Sequence, residues 1–280
     1  MRLGVVMTGT GAHAAACVGV MKELELRGIT PYAVCGMGMG AWPAALFAAG
    51  LDVQNMEKAL HQAAGMGRKM IAPTAYERLG RHAMPAGVRL NHLLGVQTGQ
   101  RVLSLCPGAA LFPCRMARNG QRVLFSTRAF MQEPSAMLAM QATVGFAARA
   151  CMAAPPFLAP VQFMGSPLLS ETDVAFCARQ LLLLGAHRVL IIAPFPSPRR
   201  VPDALDLTGT ALRLAGEQPL GEETGVLRII MPESAGALSL EQLEACSEAG
   251  RRAAGQELDS VFDQMGMAFC RVLPFRGQTM

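Results

Sequence analysis

The sequence predicts an α/β fold in three layers, α/β/α, around a mainly parallel central sheet. Over the first 50 residues short apolar strands alternate with longer amphipathic segments, and a glycine-rich turn joins each strand to the segment that follows. Farther on, the run Arg-Val-Leu-Ile-Ile-Ala at 188–193 is apolar without alternation, as suits a strand buried on both faces. Strand, helix, strand units of this length imply parallel neighbours joined by right-handed crossovers.

The elements follow in order. Val5 and Val6 close a first strand, Thr8-Gly9-Thr10-Gly11 is a turn, and 12–27 reads as a helix with Val18, Met21 and Leu24 on one face. Gly28 stops it. A second strand spans 31–35, and Gly36-Met37-Gly38-Met39-Gly40 turns into a helix that ends near Gly50. Another helix is expected at 52–64, then strands at 101–105 and 121–126, and a helix at 135–152 ended by Pro155-Pro156. A short strand pair near 160–169 leads to a helix at 173–184, with Asp173 as its cap. After the 188–193 strand, Pro194, Pro196 and Pro198 mark a loop. Beyond it come a helix at 203–215, a strand at 226–231 and a long helix at 239–265 packed back on the sheet. No internal repeat is present, and residues 1–280 are expected to form one domain.

Composition narrows the function classes. The chain has 280 residues, 51% of them hydrophobic, which is ample for a core, and only 16% are charged. The longest apolar stretch, 181–195, is interrupted by His187 and Arg188, whereas a spanning helix needs roughly 20 apolar residues. No transmembrane segment is therefore expected. The first residues run directly into a strand pattern without an apolar signal region, which points to a cytoplasmic protein. A formal charge of +5, one Trp and two Tyr provide no stacking surface for nucleic acid. Cys17, Cys35, Cys106, Cys114, Cys151, Cys177, Cys246 and Cys270 form no C-x-x-C pair and no Cys/His cluster. Reduced, buried, structural thiols are expected, with no metal and no cofactor.

An acyl hydrolase needs a nucleophile on a sharp strand-to-helix turn, a base to take its proton, and N–H donors that face the oxyanion. Gly36-Met37-Gly38-Met39-Gly40 has the glycine spacing of a G-x-S-x-G elbow, but position 38, where the nucleophile belongs, is glycine. Alone, the pentapeptide is only a glycine-rich turn. Nor does Thr8-Gly9-Thr10-Gly11 continue into a phosphate-binding G-x-x-x-x-G-K-[ST] or a full G-x-G-x-x-G.

Together these segments resemble the patatin-like phospholipase family. Residues 8–14, followed by Gly19-Val20-Met21, are similar to the family's Gly-Gly-Gly-x-Arg-Gly turn with its downstream Gly-Val-Leu. Residues 44–50, Ala-Ala-Leu-Phe-Ala-Ala-Gly, look like the helix that leaves the family's nucleophile. Residues 147–157 resemble the alanine-rich helix and proline turn that precede the catalytic aspartate, and 185–189 the turn into the strand after it. The resemblance covers about residues 1–195 and implies a Ser-Asp dyad. Here Gly38 stands in the serine position, and Ser170, after Leu168-Leu169, stands where the aspartate of an Asp-Gly-Gly triplet would be. The oxyanion turn keeps Gly9, Thr10 and Gly11, with His13 in the place of a basic residue and Ala14 in that of a glycine.

Other groups are weak substitutes. Glu171 reads as a solvated loop charge and Asp173 as a cap, and either would restore a base only if the register slipped. His13 is expected to cover the helix start or to hydrogen-bond locally. Cys35 is expected to be a buried strand residue, Thr8 and Thr10 belong to the turn, and Ser126 and Ser166 have no elbow around them. Among the 19 methionines, Met37 and Met39 beside the elbow read as core before they read as groove. The basic stretch with Arg68, Lys69, Arg78, Arg81, His82, Arg89 and His92 reads as a solvated loop or a contact for anionic headgroups. The expectation is a fold that has lost hydrolysis and binds a lipid, a fatty acyl ligand or a protein partner. The alternatives are an active hydrolase with a non-standard nucleophile and base, and a scaffold that uses the sheet and the carboxy-terminal helix as an interface.

Overall fold

A computed structural model describes residues 1–70, 87–155, 157–216 and 218–267. Strand β1 (Leu3–Met7) passes through the turn at Thr8 and a 3₁₀ segment, Gly11–Ala15, into helix α1 (Ala16–Leu26). Strand β2 (Ala33–Gly36) leads through the 3₁₀ turn Gly38–Gly40 to α2 (Ala41–Ala48). Helices α3 (Val53–Met66) and α4 (Val88–Gln97) follow, the first capped by Asp52, whose carboxylate accepts from the Asn55 N–H. Next come β3 (Ala110–Met116), β4 (Arg122–Ser126), β5 (Ala136–Ala139) and α5 (Val144–Cys151). A hairpin of β6 (Val161–Phe163) and β7 (Ser166–Ser170) precedes α6 (Val174–Leu184) and β8 (Arg188–Phe195). The described chain closes with α7 (Ala204–Ala215), β9 (Thr224–Ile230) and α8 (Leu243–Gln264).

One sheet gathers these strands in the order β5-β4-β3-β2-β1-β8-β9, with the β6–β7 hairpin attached to β3. From β3 through β2, β1 and β8 to β9 neighbouring strands run parallel, while β4 and β7 run antiparallel to β3. Alternation along the central strands assigns the layers. Val5, Met7, Val34, Leu190 and Ile192 face the larger core, shared with α1, α2, α5 and α8. Val6, Cys35, Val189 and Ile191 face the other side, where Phe176, Cys177 and Leu181 of α6 cover them. The 188–193 run is thus buried on both faces, as its composition required.

Two expected elements are different. Residues 101–105 form no strand but a single bridge, Val102 to Thr143, and a 3₁₀ turn at Leu103–Leu105. The strand lies at β3 instead, where it carries Pro113, a residue that argues locally against sheet. On one edge of β3 the partner changes from β2, paired through Leu111, to β7, paired from Cys114, so Pro113 falls in a break of that ladder. The helix expected at 135–152 is divided into β5, parallel to β4, and α5, whose start is fixed by the Thr143 hydroxyl accepting from the Phe146 N–H. The expectation for helix 173–184 holds, and the Asp173 carboxylate accepts from the Phe176 N–H at 2.8 Å. Cys17, Cys35, Cys106, Cys114, Cys151, Cys177 and Cys246 are buried free thiols, and Cys270 lies outside the described residues. Among the described residues no helix is long and apolar enough to cross a membrane.

Candidate functional site

The register of β1 against β2, Gly4 opposite Ala33 through Met7 opposite Gly36, brings the carboxyl ends of the two strands level. The turns at 8–14 and 36–40 therefore lie side by side, at the edge where open parallel sheets place their sites. Backbone bonds tie them: the Met37 N–H donates to the Met7 carbonyl at 2.9 Å and the Met39 N–H to the Gly9 carbonyl at 3.1 Å. Gly38 has a φ of 54°, in the left-handed region, which is the strained setting expected of an elbow's central residue. Space is tighter still at Gly40, where a Cβ would lie 2.1 Å from the Met7 carbonyl oxygen.

Ser170 reaches the same place from another strand. Because β7 takes up the edge of β3 beyond the point where β2 leaves it, Ser170, opposite Cys114, ends near the carboxyl end of β2. Two clefts meet over Gly9, Thr10, Gly38 and Ser170. One, of about 140 Å³, is walled by Met37, Val174 and Ile191 and has Thr172 and Thr210 at its side. The other, of about 80 Å³, is lined by Met39, Met152, Phe157, Leu158, Leu205 and Leu240. Met37 and Met39 thus both line the clefts, and Met37 is also buried.

Glu171 is not a solvated charge. Its side chain has no exposure, and its carboxylate accepts from Arg115 Nε, Arg122 Nε and the N–H groups of Thr172 and Asp173 at 2.9–3.1 Å. The arginines come from β3 and β4, which the sequence could not pair with residue 171 before the sheet order was known. Asp173 caps α6 and accepts from Arg122 Nη2 at 2.7 Å. Both carboxylates are held by arginines and backbone N–H groups, and Glu171 lines the same cleft as Gly38. The Ser170 hydroxyl donates to the Glu171 carbonyl at 3.3 Å.

His13 neither covers a helix end nor bonds locally; it is buried, with Nε2 3.1 Å from the Ala235 carbonyl and Nδ1 3.7 Å from Asp206 Oδ1. A carbonyl only accepts, so Nε2 carries the proton. Burial holds the imidazole pKa below its usual value, against the opposing pull of the Ala235 bond and of Asp206. The other candidate nucleophiles are occupied or buried. Thr8 Oγ1 donates to the Ile192 carbonyl, Ser126 to that of Arg128 and Ser166 to that of Pro167. Cys35 has no exposure. It packs toward Cys177, whose thiol burial pushes well above the usual range. No group of three or more His, Cys, Asp or Glu among the described residues is placed to hold a metal ion.

Of the basic stretch, expected to be a loop, Arg78, Arg81 and His82 lie outside the described residues, whereas Arg89 and His92 stand on helix α4, and Arg89 donates to the Lys69 carbonyl at 3.1 Å. The sequence reading missed the part played by α7, which contributes Leu205, Gly209, Thr210 and Leu212 to the clefts. A signal was present: a glycine inside an otherwise helical run often marks close packing.

A family model described as patatin-like phospholipase matches residues 5–173. Two mycobacterial proteins, both called uncharacterized NTE family proteins, one from Mycobacterium bovis and one from Mycobacterium tuberculosis, are 27% identical over 290 aligned positions. The alignment takes in 92% of this chain and 46% of theirs, so the chain spans about half the length of these relatives. The crystal structure of VipD from Legionella pneumophila superposes with a TM-score of 0.53 at 13% identity, covering 93% of this chain and 67% of that one, a likeness of fold.

Proposed function

Because the chain belongs to the patatin-like phospholipase family, we propose that it retains the acyl groove of a lipid acyl hydrolase as a binding site and does not hydrolyse what it binds. One observation carries this reading. The residue at the left-handed position of the elbow, Gly38, has no hydroxyl, and Ser170, which faces the same clefts, has no carboxylate. Taking Gly38 and Ser170 as the positions of the family's serine and aspartate is part of the proposal. A dyad member acts only with its partner, so loss of both removes most of the turnover. The nearby acids offer no repair, since Glu171 and Asp173 are held by arginines and backbone N–H groups.

What remains suits binding. An apolar cleft opens beside the Gly9-Thr10-Gly11 turn, whose backbone N–H groups are the kind of donors that receive a carboxylate or phosphate oxygen. The ligand is therefore a lipid or fatty acid with an acidic head. The decisive experiment treats the purified protein with a fluorophosphonate probe, measures hydrolysis of a short-chain ester, and examines co-purifying lipid by mass spectrometry. No labelling, no turnover above a heat-denatured control, and a bound fatty acid or lysolipid are expected. Stoichiometric labelling of one side chain would overturn the loss of hydrolysis, and absence of any acyl ligand, together with failure to bind added fatty acid, would overturn the binding role.

A further inference from the structure

The glycine-rich turn beside the clefts does not hold its own shape. Gly9 and Gly11 have φ of 142° and 51°, and glycine moves between left- and right-handed backbone at little cost. The turn is fixed from outside, at both ends. On one side the Met39 N–H donates to the Gly9 carbonyl at 3.1 Å, and on the other the Ala12 N–H donates to the Ala237 carbonyl at 2.8 Å. Thr10 and Gly11 lie between these anchors and line the apolar cleft, and among the described residues no acceptor takes their N–H groups. The second anchor is close: a Cβ on Gly11 would lie 1.8 Å from the Ala237 carbonyl oxygen.

What holds Ala237 is a side chain at the start of α7. Asp203 and Asp206 cap that helix reciprocally, each carboxylate accepting from the other's N–H at 2.9 Å. A cap needs no more than that, yet both carboxylates reach beyond the helix. Asp206 Oδ1 accepts from the Ala237 N–H and Asp203 Oδ2 from the Leu238 N–H, both at 3.1 Å. Residue 237 therefore stands between Asp206 and the turn, its N–H given to the first and its carbonyl to the second. The Asp206 side chain has no exposure, and Arg200 Nη1 donates to its Oδ2 at 2.9 Å. With its charge matched by Arg200, what Asp206 lends the turn is geometry and not a field.

We propose that Asp206 is the positioning residue of the anion-binding turn: acting through residue 237, it sets the direction in which the Thr10 and Gly11 N–H groups face the clefts. The inference rests on the reading above that this turn receives the acid head of an acyl ligand. Asp206 touches no ligand itself. Its loss therefore weakens the grip on the head and leaves the grip on the tail unchanged.

Two probes that share a tail and differ in the head test this. Decanoate and decan-1-ol are titrated calorimetrically into the wild-type chain and into Asp206→Asn, which keeps the size of the side chain but turns a donor toward either Ala237 or Arg200. Decanoate affinity should fall by about tenfold, and decanol affinity should change by less than about twofold. Equal losses for both probes, or no loss of decanoate binding, overturn the positioning role, since a residue that only caps α7 does not tell head from tail. Ala12→Pro deletes the same link from the other side, in a first helical turn where proline is tolerated. Added to Asp206→Asn it should cost decanoate nothing further, and additive losses overturn the relay through residue 237. A ligand-free measurement separates this inference from the acyl reading. In Asp206→Asn the Thr10 and Gly11 amide resonances should move while those of β1 and β8 stay in place. Unmoved resonances at Thr10 and Gly11, or movement spread through both strands, overturn the positioning role. If neither probe binds the wild-type chain, the acyl reading fails and the amide resonances alone decide. Should Asp206→Asn not fold, Asp206→Glu, which keeps the charge for Arg200 and shifts the carboxylate by one methylene, is held to the same outcomes.

Discussion

A side chain at position 38 has to adopt a φ of 54° and would place its Cβ 3.0 Å from the Gly9 carbonyl oxygen. The left-handed conformation costs about 1–2 kcal/mol for a residue with a Cβ. Gly38→Ser should therefore lower the melting temperature modestly and restore no esterase activity. Adding Ser170→Asp supplies an acid beside the new hydroxyl, and weak ester turnover above the single variant is the expected outcome. Gly40→Ala should be worse than Gly38→Ser despite its smaller side chain, because its Cβ would meet backbone at 2.1 Å, where nothing can rotate away. If the two variants melt at the same temperature, the close approach of the turns is wrong. His13 gives a pH signature. It faces Asp206, Asp203 and Arg200, and burial depresses its pKa from 6.5. Just below pH 6.5 the unfolded chain binds a proton that the folded chain does not, so stability falls as pH falls through that window. His13→Gln should flatten that part of the profile in urea denaturation. The glycine spacing was legible in the sequence because tight turns demand glycine. The burial of Glu171 and His13 was not, because their partners, Arg115, Arg122, Asp206 and Ala235, are brought together only by the sheet and the returning chain.

At the scale of elements, local chemistry was legible wherever it acted alone. Asp173 announces α6, Gly28 ends the α1 segment, and the unbroken apolar run makes β8. It failed where pairing overrides propensity. Residues 136–139, Ala-Met-Leu-Ala, favour helix, but β4 offers them a parallel partner and Thr143 starts the helix later. Pro113 hid β3 in the same way. Removal of the cap by Thr143→Ala should cost about 1 kcal/mol. The loss should appear as a lower urea midpoint at unchanged m. Asp173→Ala should cost more, since the same carboxylate also receives Arg122. A Thr143→Ala loss equal to or above that of Asp173→Ala would show that the Arg122 pair contributes nothing.

For the whole molecule the question is whether the last third is part of the same cooperative unit, because the family model ends at residue 173 while the sheet does not. Strands β8 and β9 extend the parallel sheet beyond β1, and α8 lies along α1 so closely that backbone meets backbone. A Cβ on Gly250 would fall 2.1 Å from the Ala16 carbonyl oxygen, and one on Gly19 would fall 1.8 Å from that of Ser247. Helix α1 follows the glycine-rich turn at 8–11 through the 3₁₀ segment Gly11–Ala15, so the carboxy-terminal helix braces an element beside the candidate site. We expect one unfolding transition for the chain, with calorimetric and van't Hoff enthalpies in agreement. Gly250→Val forces the helices apart or strains both, and overpacking of this kind costs about 1–3 kcal/mol, occasionally more. If α8 is integral, the variant should lower the single transition as a whole, and amide exchange in β1 and β8 should speed up along with that in α8. A variant that loosens α8 alone, with β1 and β8 protected as before, would mean that the last helix is an appendage and that the sheet stands without it.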